Sequence, residues 1–327
     1  MVVEPLSSII GQERAVSLLR RYLEAGTVPP GLLFAGPEGV GKEKAARAFA
    51  AALLCRRPHS DGACGACPDC RLLASGAHPN FLFLAPETSY LRIDEIRALQ
   101  EEFALQAFSD RPRAAILLPA DRMTPQAANA LLKTLEEPPR DAHLLLVSHR
   151  TAAMLPTIVS RCQKIPFFPL PADTVAGIVS RHPGAGERHP PPVIRLAAAI
   201  SGGSPGRALS LLEDLAEERA AWFALFTDFS PAAALKLAEQ WKGEGDVPWR
   251  LAAPLSLVRD LCLLSSGGGA VIMNEDLRGP LAAAAARPPA GGWDAAFREL
   301  LSISRMPPQP QKRLMLEAFF FGLHGKG

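Results

Sequence analysis

Gly31-Leu32-Leu33-Phe34-Ala35, then Gly36-Pro37-Glu38-Gly39-Val40-Gly41-Lys42, then Glu43, is the stretch on which the fold turns. Five residues of strand length run into a glycine-rich turn and leave through a helix-forming segment that begins around Lys42. A strand, a loop and a helix in that order are the setting of a phosphate-binding loop. Gly36, Gly39 and Gly41 allow backbone angles and a closeness of approach that a side chain would block. The loop amides and the helix N-terminus direct positive partial charge at a polyphosphate, and Lys42 reaches toward its terminal groups. A plain glycine turn is the competing reading, and the strand and helix on either side argue against it.

The position after the lysine breaks the pattern. A serine or threonine hydroxyl normally holds Mg²⁺ there, and this chain has Glu43. Two like charges about 4 Å apart repel by about 4 kcal/mol at an effective dielectric of about 20. A carboxylate beside a polyphosphate therefore weakens binding, unless it ligates the metal directly. Hydrolysis also requires acidic residues at the end of a neighbouring strand. The candidate strand is 114–118, followed by Pro119, Ala120 and Asp121. Only Asp121 is acidic, and it comes where the chain should already be turning. An ATP-hydrolysing site on this chain is not expected.

Outward from the loop, short apolar runs at 81–84, 114–118 and 144–147 alternate with helical patterns at 42–55, 92–106 and 124–137. A helix is also expected over 6–26. This alternation predicts an α/β fold with a parallel sheet covered on both faces. Residues 163–170 close the unit. The division expected is a P-loop-like core over 1–168, a small helical module over 169–212 interrupted by a loop at 182–192, and an all-helical region over 213–327. Further loops are expected at 265–269 and 287–292.

At 327 residues the chain is too long for one ordinary core, and a net charge of +2 creates no strong field for holding nucleic acid unaided. The N-terminus has no basic segment followed by an apolar core of signal-peptide type, and no apolar run approaches the ~18 residues of a membrane span. A cytoplasmic protein is expected. Four of the six cysteines, Cys55, Cys64, Cys67 and Cys70, crowd into one segment. Four thiolates saturate a tetrahedral Zn²⁺ and leave no position open to substrate, so a structural zinc module over 55–70 is expected, with a disulfide pair or free thiols as the alternative.

At 123–139 the chain reads Met-Thr-Pro-Gln-Ala-Ala-Asn-Ala-Leu-Leu-Lys-Thr-Leu-Glu-Glu-Pro-Pro. Thr124 suits a helix N-cap and Pro125 the first helical position, while Pro138 and Pro139 stop the helix. Taken alone this is a core helix. The run Leu131–Pro139, however, resembles the bacterial clamp-loader branch of the AAA+ ATPases, and Leu155-Pro156-Thr157-Ile158-Val159-Ser160-Arg161-Cys162 is similar to that family's arginine-finger segment.

The resemblance implies a RecA-like AAA+ core, a helical lid and a helical collar that joins subunits in a heteropentamer. It implies that Arg161, flanked by Ser160 and Cys162, acts in trans on a neighbour's ATP; a surface or salt-bridging arginine is the plainer alternative. Gly203–Leu209 matches the family's second sensor at Arg207, and Gly11-Gln12 matches a segment near adenine; with a degenerate loop these are possible relics. The four cysteines fall on the family's zinc module. Glu43, Leu118 and Pro119 depart from the hydrolysing gamma/tau-like members and favour a stator subunit. Its implied partners are gamma/tau-like ATPase subunits, a delta-like subunit and, through the complex, the sliding clamp and primer–template DNA. Two other classes compete with this reading: an autonomous AAA+ ATPase using Glu43 as metal ligand, and a zinc-knuckle nucleic-acid binder, which the near-neutral charge and two tyrosines disfavour.

Overall fold

The computed structural model describes residues 3–86, 90–104, 112–239, 251–268, 271–289, 291–306 and 312–324. The chain divides into two compact units, Met1–Leu170 and Pro171–Gly327. The first contains α1 (Glu13–Ala25), β1 (Gly31–Ala35), α2 (Lys42–Leu54), α3 (Pro68–Ser75), β2 (Phe81–Leu84) and α4 (Ile93–Ala104). It continues with β3 (Arg113–Leu117), α5 (Pro125–Glu136), β4 (Ala142–Ser148), α6 (Pro156–Arg161) and β5 (Gln163–Pro166).

The strands form a five-stranded sheet in the order β2-β3-β4-β1-β5, and every pairing is parallel. Side chains alternate across a strand, and here the alternation sorts the apolar residues into two cores. Leu32, Phe34, Ala114, Ile116, Leu145 and Val147 face one core, shared with α1 and α2. Leu33, Ala35, Ala115, Leu117, Leu144 and Leu146 face the other, shared with α4, α5 and α6. This is the doubly covered α/β core that the sequence predicts. Ala45, Ala46 and the run Ala50-Ala51-Ala52 on α2 are buried, because a helix of small residues can lie close against the central strands.

One helix differs from expectation. Residues 6–26 are not continuous: a 3-10 turn at Leu6–Ser8 precedes α1, and Gly11 (φ 77°) breaks the path between them. The left-handed backbone at Gly11 lets the N-terminal segment turn back before the helix starts. α4 ends at Ala104, and residues 105 and 106 lie outside the described residues.

The second unit is helical throughout its described residues. It begins with α7 (Ala172–Ser180), α8 (Ala185–Arg188), α9 (Pro191–Ile200) and α10 (Pro205–Thr227). The loop expected at 182–192 thus holds one short helical turn. The expected division at 212/213 falls inside α10, whose 23 residues run unbroken. Helices Pro231–Glu239, Ala252–Ser265, Arg278–Ala285, Gly292–Arg305 and Lys312–His324 follow. Their core is aromatic: Trp222 lies 4.9 Å from Phe320 and 6.0 Å from Phe226, which meets Trp293 edge-on at 6.1 Å. No helix among the described residues is long and apolar enough to cross a membrane.

A buried polar network reinforces this unit. Arg219 on α10 donates to both carboxylate oxygens of Asp276, at 2.9 and 2.5 Å, and to Asn274. Asp260, fully buried, accepts from the backbone N–H groups of Met273 and Asn274 at 2.9 and 2.8 Å, and from the Asn274 amide at 2.8 Å. Asp260→Ala strands those backbone donors, and each unsatisfied buried donor costs about 1–3 kcal/mol. The variant should lose about 3 kcal/mol of stability in chemical denaturation, and Asp260→Asn, which keeps an acceptor oxygen, should lose less.

Candidate functional site

β1 delivers the chain into the 36–42 turn, and the turn's glycines have separate causes. Gly39 and Gly41 have φ of 71° and 98°, a backbone that L residues rarely adopt. Gly36 is required by packing: a Cβ there would lie 2.3 Å from the carbonyl oxygen of Phe167, just past β5. Lys42 opens α2, is buried, and its Nζ donates to the Pro37 carbonyl of the same turn.

Gln12 is 3 % exposed and fixes this turn from outside. Its amide nitrogen donates to the carbonyls of Phe168 (2.7 Å) and Val40 (3.3 Å), and its oxygen accepts from the Phe168 N–H (3.1 Å). One side chain therefore ties the N-terminal segment, the 36–42 turn and the exit of β5 together. These bonds commit both ends of its amide to the backbone. Gly11 supplies the bend that precedes it.

Glu43 turns along its own helix. Its Oε1 accepts from Arg47 Nε at 2.7 Å, an i,i+4 pair, and the Arg47 guanidinium stacks 4.0 Å above the Phe83 ring of β2. An acid in the first helical turn followed by a base one turn later stabilises a helix on both counts. At the end of β3 stand Leu118 and Pro119. The Asp121 side chain is buried, accepting from the His149 N–H at 2.8 Å and lying 3.8 Å from Arg150. Burial pushes that carboxyl up, but the His149 N–H and other hydrogen bonds outweigh it and hold it below its ordinary value. Asp121 thus fastens the end of β3 to the end of β4. His149 is kept below its usual range by burial, and by the charge of Lys42 next.

The four cysteines come together. Cys55 caps the end of α2, Cys67 caps the start of α3, and all four Sγ atoms lie within 4.8 Å of one another. The Cys55–Cys67 and Cys64–Cys70 separations are both 3.9 Å. Zn–S bonds of about 2.3 Å in a tetrahedron place sulfurs about 3.8 Å apart, so the donor set fits a zinc ion. Backbone N–H groups of Arg57 and Cys64 point at Cys55 Sγ (3.3 and 3.2 Å), that of Cys67 at Cys64 Sγ (3.4 Å), and that of Cys70 at Cys67 Sγ (3.4 Å). Such donors stabilise thiolates. The Cys64 thiol is drawn down to about 6 by the N–H groups of Ala66 and Cys67. The module is fastened by residues that spacing did not disclose: Asp69 pairs with Arg56 at 2.9 Å and approaches His78 at 3.8 Å, and Asp61 accepts from the Ser7 N–H at 2.9 Å and from Arg20.

Arg161 closes α6 with its side chain 38 % exposed. Its Nη2 meets Glu136 Oε1 at the end of α5 at 2.7 Å, and its Nη1 donates to the Thr157 carbonyl at 3.1 Å. Ser160 Oγ bonds the Thr157 carbonyl of its own helix at 3.1 Å. Cys162 is a packing residue: it is 9 % exposed, its thiol pushed up to about 12 by burial. Arg207 lies in the first turn of α10, in the second unit, where its N–H is capped by Ser204 Oγ at 3.2 Å.

The chain is similar in sequence to known proteins. The family model described as "DNA polymerase III, delta subunit" matches residues 11–171. The DNA polymerase III subunit delta' of Pseudomonas aeruginosa is 43% identical over 177 residues, 53% of this chain and 52% of that one. The subunit delta' of Haemophilus influenzae is 31% identical over 227 residues, 68% of each chain. This chain belongs to the DNA polymerase III delta' family. A gamma/tau subunit from Mycobacterium bovis is 32% identical over 211 residues, 64% of this chain and 36% of that protein. The delta' family member spans about half the length of the first curated relatives it matches. Among its described residues, Cys55, Cys64, Cys67 and Cys70 form the group able to hold a metal ion.

Two measurements check the site. Protein prepared without chelators should contain about one equivalent of zinc, and metal removal should lower its melting temperature; less than half an equivalent contradicts the assignment. Gln12→Ala strands the Phe168 N–H and should destabilise the first unit by about 2 kcal/mol, read by thermal or chemical denaturation.

Proposed function

We propose that this delta' family chain is the stator of a clamp loader: it does not hydrolyse ATP but supplies Arg161 to the ATP site of an adjacent subunit. The observation that carries the reading is the Glu43–Arg47 pair at 2.7 Å. The position that should offer Mg²⁺ a hydroxyl instead holds a carboxylate committed to its own helix. A gamma/tau-like ATPase would need a metal-binding hydroxyl there and paired acids after β3, where this chain has Leu118 and Pro119.

Arg161 supports the other half of the reading. It ends a helix with a half-exposed guanidinium, a planar group that remains charged and suits phosphate oxygens. In this account the P-loop glycines Gly36, Gly39 and Gly41 with Lys42, and Gly11, Gln12 and Arg207, are inherited from a nucleotide-binding ancestor. Zn²⁺ held by the four cysteines is structural, bracing the end of α2 against α3. The core (1–168) carries the finger, the lid is 169–212, and the helical region 213–327 is the collar that joins gamma/tau-like ATPase subunits and a delta-like subunit in a heteropentamer. The sliding clamp and primer–template DNA are reached through that complex, in the cytoplasm.

Arg161→Ala tests this in a loader reconstituted with its partner subunits. Assembly should be retained, while hydrolysis at the receiving site falls on the order of a thousandfold or more, as for other arginine fingers. Hydrolysis at the unmodified rate contradicts the assignment.

A further inference from the structure

We infer that Glu136 is the positioning residue for Arg161, an inference that rests on the reading of Arg161 as a finger acting in trans. The two side chains come from the ends of different helices, α5 and α6, and meet at 2.7 Å. The Thr157 carbonyl holds the other terminal nitrogen of the same guanidinium at 3.1 Å. Arg161 is thus held by two acceptors, one of them outside its own helix.

The packing beneath fixes where that carboxylate stands. Leu135, beside Glu136, and Cys162, beside Arg161, converge on Gly31 at the start of β1. A Cβ there would lie 2.8 Å from Leu135 Cδ2 and 3.1 Å from Cys162 Sγ. Glu137, next along, has φ −124° and ψ 69°, outside the helical region as the following proline demands. α5 therefore stops with Glu136 as its last residue, one position past the Leu135 that packs over Gly31. β1, the end of α5 and the Ser-Arg-Cys segment meet at this one place.

A guanidinium has five N–H donors. The contacts to Glu136 and Thr157 use two and leave three to meet a phosphate. A long arginine side chain carries considerable rotamer freedom, and holding it beforehand lowers what must be lost when the neighbour's nucleotide arrives. Glu136 is a half-exposed partner, so it orients the arginine without neutralising it as a buried pair would. A carboxylate acting instead as a competitor for the guanidinium would give the opposite sign on removal.

The test uses the reconstituted loader, with the other ATP sites silenced by substituting the P-loop lysine of every partner ATPase subunit except the one that receives Arg161. Steady-state Mg-ATP hydrolysis then reports the site that receives Arg161. Glu136→Ala should lower kcat about two- to fivefold, the range an exposed ion pair sustains, with KM unchanged. Glu136→Gln, which keeps an acceptor oxygen, should recover part of the loss, and in an Arg161→Ala background Glu136→Ala should add nothing. An unchanged or raised kcat in Glu136→Ala, with Arg161→Ala still defective, overturns the positioning role and leaves the finger intact. An equal loss in both backgrounds shows a general structural role and also overturns it. If Arg161→Ala itself has no effect, the finger reading falls and takes this inference with it.

Discussion

Glu43 stands in the first turn of the helix that leaves the 36–42 turn, where a carboxylate is favoured, and it pairs with Arg47 one turn on. The pair is local, helical and supported by the ring of Phe83 beneath the guanidinium. It stabilises the helix that carries Lys42, and it does so with the group that occupies the metal-binding position. The same loop is tied down from other directions: Gly36 packs under the Phe167 carbonyl, and Gln12 bonds both Val40 and Phe168. In the proposed function this turn serves as a rigid joint between the N-terminal segment, β1 and β5. Rigidity of that kind suits a subunit that presents a group to a neighbour.

The four-cysteine cluster and the arginine segment are likewise held by tertiary contacts. The cysteines join the end of α2 to the start of α3 through side chains, where an eight-residue helix has little apolar surface of its own. Arg161 stands on a six-residue helix whose position depends on Cys162 and Leu135 packing over Gly31. Both are short elements stabilised by tertiary contacts rather than by propensity.

Much of the core was legible because its signals are local. The strand runs at 31–35 and 81–84, the Thr124 cap with Pro125, and the cysteine spacing each depend on residues a few positions apart, and each is found where expected. What escaped depends on distant partners or on backbone conformation. Gln12 and Phe168 are 156 positions apart, and no pattern near either discloses the other. Periodicity over 6–26 hid the turn at Gly11, since a left-handed glycine leaves apolar spacing intact. The reach of α10 through 212/213 was invisible for a related reason: Leu212 and Leu215 are buried on one continuous face, and a change of module in sequence need not interrupt a helix. The Asp260 network shows the same limit, because a buried carboxylate satisfied by a remote loop looks like any surface acid.

In the proposed function, the 36–42 loop of this chain supports no hydrolysis of its own. The most direct measurement is ATP turnover by the purified chain alone, with and without Mg²⁺. No magnesium-dependent hydrolysis above the buffer rate is expected. Sustained turnover that requires magnesium and disappears in Lys42→Ala would contradict it.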